Sequence, residues 1–424
     1  MNIGEKYTVK IQDTTLMGAG VAKIDGAAVF VNGTLKGDEC SVTVTDVKKN
    51  FATAVCDGFT AYSNKRTESD CSHSARCGGC VFRHAAYEYE NEIKHSAVRS
   101  AFAKARLEVE KFNEILFPDA SCVRNKATFH FDRDGNAGFY MTDSRTLVPL
   151  GDVKCKNCPE SYCGICSLVS SLIREGVTSP EEMMLRTGYN GETVVAFTGN
   201  ISESDIGRLA VKICSSYPEV TGIVTRRTVK DKYKTVMGEK YVTGRILGLD
   251  FNVSPEAFFQ VNYEGAEKLF GEVLRLAEAL SFDYCADLYC GTGTIGMILA
   301  SRLKDARFTG VEINEEAVRD AKRNAAANGL KNIKFYCGDA GKYADTEKPQ
   351  LVVVDPPRRG LSDGMIKILC DIAPESIIYV SCNPFTLVRD LTKLVGDGYK
   401  VREVTPVNMF PRSEHCETVV MLSR

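Results

Sequence analysis

The sequence lacks the features that mark several special classes of protein. No apolar run is long enough to cross a bilayer, and the first residues enter an alternating strand pattern without the apolar segment of a secretory signal. There is no internal repeat and no low-complexity tract. The formal net charge of -2 shows no basic excess, so contact with nucleic acid would require local basic patches. These absences favour a cytoplasmic globular protein with no membrane contact.

Cysteine, by contrast, is abundant. The chain has 424 residues, a length that predicts two or three domains, and 17 of those residues are cysteine. In a reducing compartment, so many thiols indicate metal, cluster or catalytic sites before disulfides.

Residues 1–58 have the pattern of a small all-β unit. Short strand-like runs at 7–11, 21–24, 28–31 and 40–45 are separated by glycine turns. The runs around Gly20 and Gly33 resemble the TRAM module, an OB-like β-barrel found on RNA-modifying enzymes. OB barrels bind oligonucleotides on a strand face, so the resemblance implies RNA binding.

Three cysteines lie close together in Cys71-x5-Cys77-Gly-Gly-Cys80. Glycines let the backbone wrap tightly and offer N–H groups to sulfur, so these thiolates can point at one centre. A fourth ligand is expected from Cys155 or Cys158. The spacing fits an iron–sulfur cluster and a zinc site equally well, because two histidines lie nearby and Cys₃His zinc sites are common.

The region from 59 to 250 mixes strand and helix patterns. An alternating run at 123–131 places Arg124 and Lys126 on one face. The densest basic stretch, at 225–234, is interleaved with Tyr233, a composition that suits phosphate contact and base stacking. A solvated hairpin with no ligand explains that stretch equally well.

From residue 251 onward, strands alternate with helices, which predicts a parallel doubly wound sheet. A Gly-x-Gly-x-x-Gly loop at 291–296 follows the first strand, and acids end the next three: Glu312, Asp339 and Asp355. Three acids suit a ligand with hydroxyls, an amine and a positive charge, which favours S-adenosylmethionine over NAD. Each acid alone is explained equally by a helix cap or turn.

Cys382 follows the apolar run 376–380, at the carboxyl end of a predicted strand, where such sheets bind ligands. A buried thiol more often simply packs, so the nucleophile hypothesis needs support from the rest of the chain. Methyltransferases that act on exocyclic amines have a similar Asp-Pro-Pro followed by an aromatic residue that stacks on the target base. Here Arg358 follows Asp355-Pro356-Pro357, which favours a ring carbon over an exocyclic amine as the methyl acceptor.

Uracil C5 becomes nucleophilic once a thiolate has added at C6, and a base must then remove the C5 proton. Glu417 is the candidate base, and His415 competes with it.

Together these motifs resemble the RNA uracil-5 methyltransferase family, which includes the 23S ribosomal RNA and tRNA enzymes. The resemblance covers the whole chain and rests on the motifs Ser254-Pro255-x3-Phe259-Gln260-Val261-Asn262, Asp287-Leu288-Tyr289-Cys290-Gly291-x-Gly293, Asp355-Pro356-Pro357-Arg358-x-Gly360, Ser381-Cys382-Asn383-Pro384 and His415-x-Glu417-Thr418-Val419. One departure is Arg83 before His84, where the family usually has glutamine.

The resemblance implies roles for individual residues. Cys382 would be the nucleophile and Glu417 the base. The implied contacts to S-adenosylmethionine are Gln260, Tyr289, Thr294, Glu312, Asp339 and Asp355. The implied ligands of a [4Fe-4S] cluster are Cys71, Cys77, Cys80 and either Cys155 or Cys158.

The predicted architecture is α/β with three domains. An OB-like TRAM barrel (1–58) precedes a central α+β iron–sulfur domain (59–250) and a class I, Rossmann-like methyltransferase domain (251–424). We expect a monomer that methylates uridine C5 in RNA. The TRAM and cluster modules favour 23S ribosomal RNA over tRNA. The alternatives are a non-catalytic RNA-binding protein of this fold and a redox enzyme that binds NAD on the glycine loop.

Overall fold

The amino-terminal part of the chain forms a six-stranded sheet. The computed structural model describes residues 1–120, 123–142 and 144–424, apart from the side chains of residues 344–347. The first six strands are β1 (Lys6–Lys10), β2 (Asp13–Thr14), β3 (Ala19–Ile24), β4 (Ala27–Asn32), β5 (Glu39–Val47) and β6 (Phe51–Ala61). They pair in the order β1-β5-β6-β4-β3-β2. Alternate side chains such as Val29 and Val31 are buried in a core of this sheet's own.

The four predicted strand runs of this region overlap β1, β3, β4 and β5. Strand β6 was not predicted, because most of its second half is exposed and carries no apolar alternation. The expected domain boundary after residue 58 falls inside β6, which continues to Ala61.

The middle of the chain forms a second sheet. Its elements are α1 (Tyr87–Lys104), β7 (Val109–Phe112), β8 (Lys126–Phe131), β9 (Ala137–Tyr140), β10 (Leu147–Pro149), α2 (Glu160–Arg174), β11 (Glu182–Thr187), β12 (Thr193–Thr198), α3 (Glu203–Ser216), β13 (Val220–Arg226), β14 (Lys234–Gly238), β15 (Val242–Ile246) and β16 (Leu249–Val253). Seven strands pair as β10-β9-β8-β11-β12-β13-β14. Helices α2 and α3 pack against one face of this sheet, and the shared core includes Phe129 and Phe197. The predicted basic stretch at 225–234 spans the hairpin between β13 and β14.

The carboxyl-terminal part forms an eight-stranded sheet. Its elements are α4 (Tyr263–Glu278), β17 (Tyr284–Leu288), α5 (Thr294–Arg302), β18 (Arg307–Glu312), α6 (Glu315–Ala327), β19 (Ile333–Cys337), α7 (Ala340–Glu347), β20 (Leu351–Val354), α8 (Asp363–Ile372), β21 (Ser376–Ser381), α9 (Pro384–Gly396), β22 (Lys400–Val407) and β23 (Glu417–Ser423). The order is β19-β18-β17-β20-β21-β23-β22-β7. Strands β17 to β21 are parallel, and β23 runs antiparallel to β21. The predicted doubly wound sheet is confirmed.

Buried apolar runs explain why these segments form central strands. All residues of β20 and β21 are buried, as expected for parallel strands covered by helices on both faces. The strand order reverses between β17 and β20, which leaves a crevice at their carboxyl ends. Among the helices that the structure describes, none is both long and apolar enough to span a membrane.

Two segments depart from the predicted division at residue 250. Strand β7, expected in the central region, pairs with β22 at the edge of the carboxyl-terminal sheet, and α1 packs against α9. Strand β16 crosses residue 250 while it pairs with β15. The sequence could not show this placement of β7, because its partner strand lies almost 300 residues further along the chain.

Candidate active site

A cleft of about 1280 Å³ opens at the carboxyl ends of the parallel strands. Cleft formation at this position follows from the reversal of strand order there. The residues that line it include every predicted catalytic and cofactor-binding residue, namely Gln260, Tyr289, Thr294, Glu312, Asp339, Asp355, Cys382 and Glu417. The structure therefore brings together side chains from the carboxyl ends of β17 to β21, from the starts of α5 and β23 and from the segment before α4.

The glycine turn between β17 and α5 forms one wall of the cleft. Gly291 and Gly293 adopt φ angles of 55° and 78°, which glycine tolerates without strain. A Cβ atom on Gly293 would lie 2.5 Å from the ring of Phe335, so this turn has no room for a side chain. Tyr289 also has a positive φ of 65°, which is uncommon for a residue with a side chain and is typical of functional sites.

Two of the predicted acids are anchored by backbone N–H groups. Gly291 N donates to Glu312 Oε2 at 3.2 Å, and Asn314 N donates to Glu312 Oε1 at 2.9 Å. Asp339 accepts from Gly341 N at 2.8 Å and caps α7. The helix-cap explanation therefore holds for Asp339, although its side chain also lines the cleft.

Buried carboxyl groups form the floor of the cleft. Asp287, which was quoted in a motif but not predicted as a site residue, accepts from Gly296 N at 2.8 Å through Oδ2. Its Oδ1 atom is buried and has no partner among the described residues. Burial and the charges of Asp355 and Glu312 raise the pKa of Asp287 to about 7, and burial raises the pKa of Asp355 to about 7. A cationic ligand would relieve this accumulation of negative charge.

Strand pairing places Cys382 beside Glu417. Strands β21 and β23 are antiparallel, with Ser381 opposite Thr418. One further step in this register puts Cys382 opposite Glu417. Cys382 is half-buried, Glu417 is buried, and both line the cleft. The two predicted catalytic side chains therefore leave adjacent strand ends toward the same space.

The two groups influence each other's ionisation. Burial, with the charges of Glu417 and Asp355, raises the pKa of Cys382 to about 11. Burial and the charge of Asp355 raise the pKa of Glu417 to about 8. The positive charge of Arg358 acts in the opposite direction on both groups. Even with Arg358 nearby, both groups are mostly protonated at neutral pH in the absence of ligands.

Arg358 was quoted in a sequence motif, where it replaces an aromatic residue, but it was given no catalytic role. Its Nη2 atom donates to His415 Nε2 at 2.8 Å. Burial and the charge of Arg358 lower the pKa of His415, so this imidazole is neutral and already bonded to a cation. The local signal for Arg358 was its position directly after the Asp-Pro-Pro turn.

Phe258 is a further cleft residue that sequence reasoning missed. Its side chain is 75% exposed, an unusual state for phenylalanine. The segment that carries it is held to the central sheet, since Arg186 Nη2 donates to Ala257 O at 3.0 Å and Asn125 Nδ2 donates to Gln260 O at 3.0 Å. An exposed aromatic ring on a fixed segment is suited to stacking on a base.

The predicted metal-ligating cysteines line a second, smaller cavity of about 50 Å³. They are Cys71, Cys77, Cys80, Cys155 and Cys158. Among the described residues, no three His, Cys, Asp or Glu side chains converge closely enough to hold a single metal ion. Arg124 lines this cavity and also the large cleft, so the two sites are neighbours.

Hydrogen bonds reach two of these sulfurs, whereas burial raises the pKa of Cys77 and of Cys80. Asn157 Nδ2 donates to Cys80 Sγ at 3.2 Å, and the side chain of Asn157 accepts from Arg83. A hydrogen bond from the Cys158 thiol, with another from the N–H of Asn157, lowers the pKa of Cys155 to about 6. Thiolate ligands of iron–sulfur clusters commonly accept such bonds.

Comparison with known families agrees with this geometry. A family model described as TRAM domain matches residues 2–56, one described as Methyltransferase domain matches residues 285–355, and one described as tRNA (Uracil-5-)-methyltransferase matches residues 345–424. The TRAM match confirms the expected amino-terminal module.

The chain is also similar to whole proteins. An uncharacterized RNA methyltransferase of Halalkalibacterium halodurans is 33% identical over 100% of this chain and 98% of its own length. One of Caldanaerobacter subterraneus subsp. tengcongensis is 32% identical over 100% and 99%.

The crystal structure of Pyrococcus abyssi tRNA (uracil-54, C5)-methyltransferase in complex with S-adenosyl-L-homocysteine covers 98% of this chain and 100% of its own. It has a TM-score of 0.76 at 24% identity, which supports the fold. From the whole-length similarity and the matched domains, the chain belongs to the RNA uracil-5 methyltransferase family with a TRAM domain.

Proposed function

We propose that this protein methylates C5 of a uridine in 23S ribosomal RNA through an adduct between Cys382 and uracil C6. The observation that carries the proposal is that Cys382 follows β21 and Glu417 begins the neighbouring β23, both lining the cleft that also contains the glycine turn. S-adenosylmethionine-dependent methylation of RNA uracil is the activity of the family. Transfer RNA is the alternative substrate, since the Pyrococcus abyssi protein is described as acting on tRNA.

The cleft residues fit S-adenosylmethionine, which supplies an electrophilic methyl group when bound. Glu312, fixed by two backbone N–H groups, is placed to bind ribose hydroxyls. The glycine turn permits close approach of a ligand to the backbone. Burial raises the pKa of Asp287 and of Asp355 to about 7, and a sulfonium cation bound beside them would stabilise their ionised forms.

Cys382 and Glu417 act on the uracil ring at different steps of the reaction. A thiolate on Cys382 forms a bond to C6, and the electron pair displaced from the C5–C6 double bond makes C5 nucleophilic. After C5 has gained the methyl group, Glu417 accepts the C5 proton, the double bond returns and the bond from sulfur to C6 breaks. We assign the base to Glu417 rather than His415, because the His415 ring is already bonded to Arg358.

Arg358 supports both ionisations. Its positive charge lowers the pKa of Cys382 and that of Glu417, against the effect of burial. It therefore favours the thiolate that attacks C6 and the carboxylate that accepts the proton.

The proposed substrate is tested by supplying RNA directly. Purified protein is incubated with 23S ribosomal RNA and tRNA transcripts and labelled S-adenosylmethionine, and the nucleosides are separated after digestion. Label in 5-methyluridine from the 23S transcript is the expected result. Label in tRNA alone would identify tRNA as the substrate in place of 23S ribosomal RNA. Label in neither RNA would overturn the proposal.

We expect activity to depend on pH through Glu417. Its carboxyl group must be ionised to accept a proton, and its pKa is raised to about 8, so the reactive form is lost as pH falls through that value. Below it, kcat should fall by up to about tenfold per pH unit, because Glu417 acts after the methyl group has been transferred. Initial rates at saturating RNA and S-adenosylmethionine between about pH 6 and 8.5 give the profile. A flat profile over this range would contradict the assignment of Glu417 as base.

We also propose that Cys71, Cys77, Cys80 and Cys155 hold a [4Fe-4S] cluster. The thiols line one cavity, and the family resemblance implies a [4Fe-4S] cluster rather than a zinc ion there. Backbone and amide N–H groups donate to Cys80 and Cys155. The cluster would tie residues 71–80 to residues 155–158, and we propose no redox step for it.

The fourth ligand can be identified by a pair of substitutions. Cys158 is 5% exposed within the apolar core, whereas Cys155 is only partly buried at its edge, so we expect Cys155 to be the ligand. Cys155→Ser should then lose iron and visible absorbance, whereas Cys158→Ser should retain both. The reverse pattern in iron analysis would assign the ligand to Cys158.

A further inference from the structure

A row of cations leads away from the cleft across the central sheet. Arg124 lines the cleft, and Lys126 begins β8 two residues later. Lys126 is the cross-strand partner of Arg186 on β11. Arg226, at the end of β13, lies near enough for its charge to act on Lys126. We refer to Arg124, Lys126, Arg186 and Arg226 as the cation row.

None of these four side chains forms an ion pair with a carboxylate in the part of the chain that the structure describes. Carboxylates do lie near the row, but each has another partner. Glu182 lies 3.7 Å from His130, Glu256 lies 3.5 Å from Lys240, and Asp231 accepts from Thr228. Arg226 donates to Thr198 Oγ1 and Val229 O, and the charge of Glu256 acts on Arg186, but no described carboxylate is paired with the row.

This arrangement is unfavourable without a ligand. Arg186 is 3% exposed, and its Nε atom has no hydrogen-bond partner among the described residues. Lys126 is half-buried, and burial together with the charges of Arg186 and Arg226 lowers its pKa to about 8. Buried cations that repel one another destabilise a fold unless anions approach them. The exposed parts of Arg124, Lys126 and Arg226 leave room for such anions.

We propose that the cation row binds backbone phosphates of the RNA strand that continues from the target uridine. This inference rests on the proposed function, because it assumes that the cleft receives a nucleotide of RNA. The row starts at a cleft residue, and its member Arg186 also bonds to Ala257 O, next to Phe258. A nucleotide in the cleft would therefore place its neighbouring phosphates near the row. Phosphate oxygens are the acceptors that Lys and Arg side chains hold in RNA complexes.

The test measures RNA binding without methyl transfer. Lys126→Gln, Arg226→Gln and Lys126→Arg are each introduced into Cys382→Ala protein. These proteins and Cys382→Ala itself are titrated with unmodified substrate RNA at several salt concentrations. Arg319→Gln is the matched control, because it also removes one positive charge but Arg319 is paired with Glu315 on α6. Binding of S-adenosylhomocysteine and the Tm show whether each variant is folded.

Each glutamine variant should raise the Kd for RNA about fivefold or more and reduce the slope of log Kd against log salt by about 0.7–0.9. Lys126→Arg and Arg319→Gln should leave both values unchanged. Glutamine variants that fold and bind RNA with the native Kd and slope would overturn the proposal. If the native protein methylates no RNA but the glutamine variants still weaken binding, the proposed function fails and the phosphate site stands.

Discussion

Replacing Cys382 with alanine is expected to abolish methyl transfer to RNA. Uracil C5 is too weak a nucleophile to accept the methyl group unless a thiolate first adds at C6. Among the described thiols, only Cys290 also lines the cleft, and it is buried. Loss of a covalent nucleophile lowers the rate by about 10⁴-fold or more. Single-turnover assays with labelled S-adenosylmethionine and saturating RNA measure this loss.

The matched control for that change is Cys370→Ala. Cys370 is a partly exposed thiol on α8 that does not line the cleft, so its removal should leave the methylation rate near that of the native protein. Methyl transfer by Cys382→Ala within tenfold of the native rate would contradict a covalent mechanism through this residue.

Replacing Glu417 with glutamine is expected to stop the reaction after methyl transfer. Glutamine keeps the shape of the side chain but cannot accept the C5 proton, so the bond between Cys382 and C6 cannot be released. Removal of a general base slows turnover by about 10²–10⁴-fold. The methylated RNA should remain attached to the protein, and denaturing electrophoresis with labelled S-adenosylmethionine should show a protein–RNA band that carries the label.

Glu414→Gln is the control for this prediction. Glu414 lies three residues away, 3.6 Å from His415, and does not line the cleft, so this variant should turn over and release its product. Release of 5-methyluridine RNA by Glu417→Gln at the native rate would rule out Glu417 as the base. Accumulation of the adduct in His415→Ala alone would assign the base to His415.

The sequence predicted the residues of the cleft better than it predicted their surroundings. Cys382 follows an apolar run, and a strand end is a position that a local pattern can locate. Asp287 and Arg358 act through burial and through distances to residues far away in the chain, which no local pattern contains. Phe258 was missed for a similar reason, since its exposure depends on how residues 257–261 are held to the central sheet.

The fold was predicted where periodicity is strong and missed where pairing is distant. The doubly wound sheet follows from alternating strands and helices, and each strand of β17 to β21 is buried by neighbours close in sequence. Strand β7 has only four residues and pairs with β22, so its place depends on tertiary contacts alone. Choosing between Cys155 and Cys158 needs side-chain directions, which spacing does not supply.

The central claim is that Cys382 becomes covalently attached to uracil C6 during the reaction. RNA that contains 5-fluorouridine tests it most directly, because fluorine at C5 cannot leave as a proton does and the adduct is trapped. After incubation with S-adenosylmethionine and digestion, mass spectrometry should find the peptide that contains Cys382 carrying a methylated fluorouridine nucleotide. An adduct on a different residue, or no adduct from protein that methylates ordinary RNA, would contradict the account.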